Sequence, residues 1–284
     1  TDRNDILFHL EKAYEISING RPGPVWIDIP ADIQSTMLVP KKLKNFPDFK
    51  NFHKKNIINK KLNSKKNDSL INKLAKMISE SKKPLIHFGH GVRLAKGQSI
   101  AYKIVKKFNI PFSLTWNASD LIPHNLNNYC GKPGAFAERG ANFIVQSSDL
   151  YISVGTRLPY MVTSYNTKNY ANGAFKVAID IDKNELKEIK NRCNFDLTIN
   201  IDATDFLNKL YLSLKKIKYD SYVKNNWLNY CIDIRKKYPI LLKKFVNQKK
   251  YVNSYVFINL LSKLSKEDEI ITTDMGLSFV GTHQ

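Results

Sequence analysis

Cysteine is scarce in this chain of 284 residues: there are three, Cys130, Cys193 and Cys231, far apart and with no C-x-x-C pair. That spacing provides neither a disulfide framework nor a thiolate zinc site, and it fits a reducing compartment with structural thiols. Long apolar runs are missing too. None approaches the roughly 20 residues that cross a bilayer, so no transmembrane helix and no membrane partner are expected. The first residues lack the basic-then-apolar layout of a secretion signal, and a cytoplasmic protein is expected. No initiator methionine heads the chain, which reads as a hint of truncation. The six histidines form no metal-spaced group. G-x-S-x-G, H-E-x-x-H and G-x-x-x-x-G-K are all absent, which removes the commonest hydrolase, metalloprotease and phosphate-loop signatures.

Acidic residues are in deficit: 25 Asp and Glu stand against 45 Lys and Arg, for a net charge of +20. Such a balance raises nucleic acid as a partner. The lysines, however, are spread along the chain among asparagine and isoleucine, as a compositional bias with exposed lysines would leave them. Their densest stretch, 41–66, shows no clear period and reads as a solvated linker. No nucleic-acid partner is expected. What is abundant is core material. The chain is 43% hydrophobic with 3 Trp, 14 Tyr and 15 Phe, enough for one or two packed domains.

Residues 5–19 carry apolar positions at helical period, with Asp2 or Asn4 as N-cap and Gly20 as the stop. A short β-rich run over 25–29, between prolines, reads as a strand. From Asp68 onward, helices and short apolar strands alternate. Helices are expected over 69–79, 95–108, 139–146, 184–189 and 205–214. Strands are expected over 84–88, 111–115, 150–154, 175–179 and 196–199. This alternation predicts an α/β fold, a doubly wound parallel sheet. Beyond Lys215, helices are expected over 219–238 and 252–264. A strand over 269–273 and a glycine turn follow, with another helix due after them.

Ligands of such sheets lie beyond the carboxyl ends of the strands. Three post-strand loops are therefore candidates. In Gly89–Arg93 the glycines let backbone N–H groups approach a phosphate at a helix start; a plain βα turn is the alternative. Arg157, after Gly155, could fork onto a phosphate or form an ion pair within the domain. Asp180 and Asp182 could accept from ribose hydroxyls, or Asp182 could cap the next helix. His87 lies inside a strand and reads as a core residue. Spacing alone thus reaches a nucleotide-binding α/β domain.

Four segments, in order, add a resemblance. GRPGPVWIDIPADIQ (Gly20–Gln34) is similar to the last strand of the pyrimidine-binding domain of thiamine-diphosphate enzymes of the acetolactate synthase type. KPLIHFGHGVRLAKG (Lys83–Gly97) resembles the opening of that family's central domain. Glu138–Leu158 and Phe175–Glu188 resemble the rest of that domain. DEIITTDMGLSFVGTHQ (Asp268–Gln284) resembles the first strand and cofactor loop of the pyrophosphate-binding domain.

The resemblance implies a carboligase or decarboxylase of 2-keto acids such as pyruvate, using thiamine diphosphate and Mg2+. It implies domains at 1–36 (end of the pyrimidine domain), 68–215 (central) and 252–284 (start of the pyrophosphate domain), with linkers at 37–67 and 216–251. The family's activating glutamate would lie upstream of Thr1 and its magnesium segment downstream of Gln284, so the chain alone is expected to be inactive. Met275, Gly276, Leu277 and Ser278 match the diphosphate-side loop, but Gly-Leu-Ser-Phe stands where the family has Gly-Gln-His-Gln. FAD is the cofactor implied for the central domain. Its matching positions are Gly89, Gly91, Arg93, Thr115, Trp116, Asn117, Gly155, Arg157, Asp180, Ile181, Asp202 and Ala203. Pro159 and Met161 replace the acidic and basic residues that usually follow the central arginine. A homodimer or tetramer is implied for the intact enzyme, and a non-catalytic domain binding FAD or ADP is the alternative.

Overall fold

A computed structural model describes residues 2–18, 23–47, 49–217, 219, 225–266, 268–274 and 276–283, with the backbone alone over 49–64. The chain divides into two compact units, 1–69 and 70–284.

In the first unit, Asp2 caps a 3-10 turn (Arg3–Asp5) by accepting the Asn4 amide, and α1 (Ile6–Ile18) follows. The expected stop at Gly20 lies outside the described residues. The run over 25–29 is extended but forms no strand. A strand is a partner in a ladder, and none of the described strands pairs with this run. Trp26 accordingly stands 87% exposed. A short helix, α2 (Ala31–Gln34), comes next. The stretch read as an aperiodic linker is largely helix, because α3 runs from Phe49 to Glu80. Lysine is a good helix former, and a weak apolar period does not prevent a helix where propensity is high.

The second unit is a three-layer sandwich. Its sheet has five strands, β1 (Pro84–Phe88), β2 (Phe112–Leu114), β3 (Leu150–Val154), β4 (Phe175–Asp180) and β5 (Leu197–Asn200), in the order β2-β1-β3-β4-β5. All four pairings are parallel. Side chains alternate between the two faces, and both faces are buried, which explains the continuous apolar runs. One face (Ile86, Phe88, Ile152, Val154, Val177, Ile179) packs on the C-terminal part of α3, on α5 (Gln98–Phe108) and on α9 (Ala203–Lys216). The other (Leu85, Tyr151, Ala178) packs on α6 (Arg139–Ser147), α8 (Lys183–Cys193) and α10 (Asn225–Lys237). Two short helices, α4 (His90–Leu94) and α7 (Tyr160–Thr163), follow β1 and β3.

Trp227 and Cys231, four apart on α10, face inward, and the Trp227 indole donates to the Pro84 carbonyl (2.9 Å). The part of the expected 219–238 helix at 220–224 lies outside the described residues. After α11 (Lys243–Val246) and α12 (Ser254–Leu264), the run over 269–273 forms no strand, for the same reason as 25–29. Ile270 stands 91% exposed. The helix due after the glycine turn is α13 (Leu277–His283). No helix among the described residues is long and apolar enough to cross a membrane.

His87 is a core residue, as its place in a strand predicts. It is fully buried, its Nδ1 lies 2.7 Å from the Ser113 hydroxyl, and its ring stacks on Tyr151. Burial pushes its imidazole from 6.5 down to about 3. The unfolded chain therefore binds a proton there that the folded chain refuses, so stability contributed by this site is present above about pH 6.5 and is lost as pH falls toward 3. In urea unfolding between pH 7 and pH 4, His87→Phe should remove a component of up to ~1.4 kcal/mol per pH unit from the acid-side loss. Identical pH slopes in the two proteins would contradict this placement of the proton.

Candidate functional site at the carboxyl edge of the sheet

The strand order reverses between β1 and β3: from β1 the chain adds β2 on one side, then crosses to place β3 on the other. Loops leaving these two strands diverge, and the crevice between them is where an open α/β sheet can seat a ligand. Gly89 and Gly91 leave β1 there, and Gly155 leaves β3 with φ +61°. The two loops touch backbone to backbone, with the Gly91 amide donating to the Gly155 carbonyl (2.9 Å). A Cβ on Gly91 would lie 2.8 Å from the Gly155 Cα and carbonyl oxygen. A Cβ on Gly89 would overlap the same carbonyl and the Thr156 side chain. Glycine is required at these positions because no other residue permits the approach.

The same bonds correct one expectation. The Gly89 amide donates to the Val154 carbonyl and the Gly91 amide to Gly155 (both 2.9 Å), so these N–H groups are engaged within the protein rather than aimed at a phosphate. What the glycines supply is the close approach of the two loops.

The remaining central candidates stand along the same edge, strand by strand. After β2, the Thr115 amide donates to the Phe88 carbonyl (2.9 Å), Trp116 opens a 3-10 turn, and the Asn117 carbonyl lies 2.9 Å from His90 Nδ1. This pins 115–117 beside the β1 glycines. Arg93, on α4, pairs with Asp120 (2.7 Å). Arg157, after β3, pairs through Nε with Glu185 (3.1 Å), the within-domain ion pair that was the plainer reading of this residue.

At the end of β4, Asp180 Oδ1 accepts the Asp182 amide (2.9 Å), and Ile181 follows, 39% exposed. Asp182 caps α8 by accepting the amides of Asn184 and Glu185. After β5, Asp202 caps α9 through the amides of Thr204 and Asp205, and Ala203 begins that helix. These two carboxylates have cap roles first, each contributing on the order of 1 kcal/mol to its helix.

Of the thiamine-loop positions, Met275 lies outside the described residues. Gly276 has φ +90° with open space around it, Leu277 is 84% exposed, and the Ser278 hydroxyl donates to the Asp274 carbonyl (2.9 Å). The described residues hold no group of three or more His, Cys, Asp or Glu that could bind a metal. Among the described residues this segment therefore offers no carboxylate cluster of its own for a magnesium-bridged diphosphate.

Several supporting residues escaped the sequence reading. Arg192, on α8, donates from Nη2 to the carbonyls of Arg157 (3.1 Å) and Leu158 (2.8 Å) and lies over the Tyr160 ring. It holds a loop in which buried Leu158 adopts φ +48°. Asn200 ties down the carbonyls of Asp180 and Ile181 (3.1 and 2.7 Å), and the Thr204 hydroxyl donates to Ala95 (2.6 Å). Their partners lie far off in sequence, so no local pattern marks them. The segment 129–138, read as irregular, runs beside β2. There the half-buried Glu138 carboxylate accepts the Lys132 amide (2.9 Å) across the positive-φ Gly131. Burial raises the Glu138 carboxyl and lowers the Lys132 amine. The paired glycines around Lys132 were the available signal.

Residues 71–210 match the family described as "Thiamine pyrophosphate enzyme, central domain". This central stretch belongs to the thiamine pyrophosphate enzymes. It is 26% identical to the acetolactate synthase isozyme 1 large subunit of Escherichia coli, over 100% of this chain and 47% of that protein. It is 29% identical to the acetolactate synthase large subunit of Lactococcus lactis, over 96% of this chain and 44% of that protein. A probable acetolactate synthase large subunit of Methanococcus aeolicus is 29% identical over 93% of this chain and 44% of that protein. The chain thus spans about half the length of the curated relatives it matches. The matched stretch 71–210 takes in the sheet and its carboxyl edge, while the similarity to the synthases continues beyond it on both sides.

The glycine contact between the two loops is the most sensitive part of this edge. Gly91→Ala and Gly155→Ala should each destabilise the second unit by about 2–3 kcal/mol, the first by backbone overlap and the second by overlap plus strain at positive φ. Gly173→Ala, where a Cβ meets nothing within 4 Å, should be nearly neutral. Thermal unfolding of the three variants decides, and equal melting temperatures would refute the required close approach.

Proposed function

We propose that this chain forms part of a thiamine-diphosphate-dependent carboligase of the acetolactate synthase type, acting on 2-keto acids such as pyruvate. The observation that carries the reading is the collinear match to acetolactate synthase large subunits along the chain, with the central-domain family centred on the parallel sheet. In this reading 1–36 closes a pyrimidine-binding domain, 68–215 is the central domain, and 252–284 opens a pyrophosphate-binding domain. The segments 37–67 and 216–251 connect them, the first mostly as helix. Thiamine diphosphate, with Mg2+, supplies the electron sink that lets a 2-keto acid lose carbon dioxide and add to a second carbonyl. The residues of this chain contribute scaffolding and a nucleotide seat, and the intact enzyme is a homodimer or tetramer in the cytoplasm.

The strand-order reversal between β1 and β3 favours a second, compatible reading: the sheet edge binds FAD or ADP, with or without catalysis in the same polypeptide. Open parallel sheets seat nucleotides beyond the carboxyl ends of their strands at such a switch point. Gly89, Gly91 and Gly155 would lie nearest the ligand, Arg93 and Arg157 would flank it, and Asp180 and Asp202 would stand at its far end.

The carboligase reading is tested on the complete protein that contains this sequence. Acetolactate should form from pyruvate only when thiamine diphosphate and Mg2+ are both present, and the 284-residue chain alone should form none. Turnover by the chain alone would overturn the assignment of the activating glutamate to residues outside it. Absence of cofactor-dependent product from pyruvate and other 2-keto acids in the complete protein would overturn the activity itself.

A further inference from the structure

The three cysteines are far apart in sequence, yet the fold brings two of them together. Cys130 sits in the segment beside β2, its amide donating to the Phe112 carbonyl (2.7 Å) and its thiol to the Asn128 carbonyl (3.5 Å). Cys231 lies on α10. Both side chains are buried in one core cluster with Leu85, Ile144, Val145 and Trp227. Two bonds position α10 around Cys231. Trp227, one turn before it, donates to the Pro84 carbonyl (2.9 Å). Arg235, one turn after it, donates to the carbonyl of Tyr129 (2.7 Å), the residue next to Cys130. With the helix held on both sides, the Cys231 thiol comes within hydrogen-bonding reach of the Cys130 thiol. Cys193 lies among Arg192, Lys176 and Glu188 instead.

Cys130 and Cys231 are 0% and 1% exposed. Burial first, and the neighbouring thiol second, push Cys231 well above its ordinary value, so the two rest protonated. A thiol attacks only as its thiolate, and chemistry here therefore waits on local opening. The element that can open is α10. It fully buries only Trp227 and Cys231, so lifting it exposes little apolar surface and costs far less than global unfolding. Arg235 travels on the same helix, and its guanidinium favours the Cys231 thiolate.

We propose that Cys130 and Cys231 form a redox pair, closed to a disulfide by a small-molecule disulfide and reopened by excess thiol. First, the Cys231 thiolate attacks one sulfur of the small disulfide; a new S–S bond forms, the old one breaks, and one small thiolate leaves. Then Cys130 loses its proton to solvent and attacks the Cys231 sulfur, and the second small thiolate leaves. Each leaving thiolate takes up a proton. The two cysteines are oxidised by two electrons, and one small disulfide is reduced to two thiols. The bond fastens α10 to the segment beside β2 and closes a loop of chain that contains β3, β4 and β5. A cross-link across so long a loop restricts the unfolded chain, so the oxidised form unfolds at a higher temperature. This inference is independent of the thiamine and nucleotide readings.

The test uses the full 284-residue chain, incubated folded with oxidised glutathione and, in parallel, with dithiothreitol. Remaining thiols are blocked, and digests are mapped by mass spectrometry without reduction. The expected result is a peptide pair linked through Cys130 and Cys231, with Cys193 blocked as a thiol. The melting temperature of the oxidised chain should stand about 5–10 °C above that of the reduced chain. Dithiothreitol should reverse both changes. Cys231→Ala should abolish the shift, and Cys193→Ala should keep it. Cysteines that all remain blocked as thiols after oxidation overturn the proposal. Glutathione adducts, disulfide-linked dimers or links through Cys193 in place of the Cys130–Cys231 bond overturn it too. So does a Cys130–Cys231 bond that leaves the melting temperature unchanged or lower, because α10 is then not held in its native place. The mapping is done on the native sequence, so it decides even where a variant fails to fold.

Discussion

The backbone contact between Gly91 and Gly155 is the constraint from which the rest of the sheet edge follows. Neighbouring parallel strands lie about 4.8 Å apart, and β1 and β3 are paired along their full length. Their loops must leave side by side and then part to opposite faces. With side chains at these positions the loops would be held apart, and the amide-to-carbonyl bond between them could not form. Because they close on one another, α4 begins immediately after β1. That puts His90 within reach of the Asn117 carbonyl and draws the loop after β2 into the same crevice.

The edge is held from the other side by long-range polar contacts. Arg192 holds the loop after β3 by its carbonyls, and Asn200 holds the end of β4 by its own. Asp182 and Asp202 orient the helices that follow β4 and β5. A carboxylate used as a cap is also one whose direction is set before any ligand arrives. Capping and ribose binding are therefore compatible demands on the same side chain, but the cap explains its presence without a ligand. The sheet edge is thus organised by the fold's own hydrogen-bond requirements, and recognition must use what those requirements leave over.

The central sheet was legible because β1 to β4 are buried almost throughout and read as mostly apolar runs between turn residues. Val25–Ile29 and Glu269–Thr273 carry the same local signal but form no ladder here, since strand formation depends on a neighbour that a local pattern cannot supply. The expected helix over 69–79 is the C-terminal part of α3, but its first part was missed for the opposite reason: that lysine- and asparagine-rich stretch offers little amphipathic period, although its backbone is helical. Gly89, Gly91 and Gly155 were legible as turn residues, but their engaged amides and the contact between their loops emerge only when β1 and β3 lie side by side. Arg192 and Asn200 act across the fold through side chains, and nothing local marks them.

Charge bears on what this edge can recognise. A polyanion is bound by cations whose counterions it releases, and the gain scales with the number of unneutralised positive groups. Arg93 and Arg157 are each matched by a carboxylate, Asp120 and Glu185, so this part of a chain with net charge +20 is close to locally neutral. The arginines of this edge are thus held by partners rather than left free to neutralise a polyphosphate, so the basic composition and the sheet edge are separate features of the molecule.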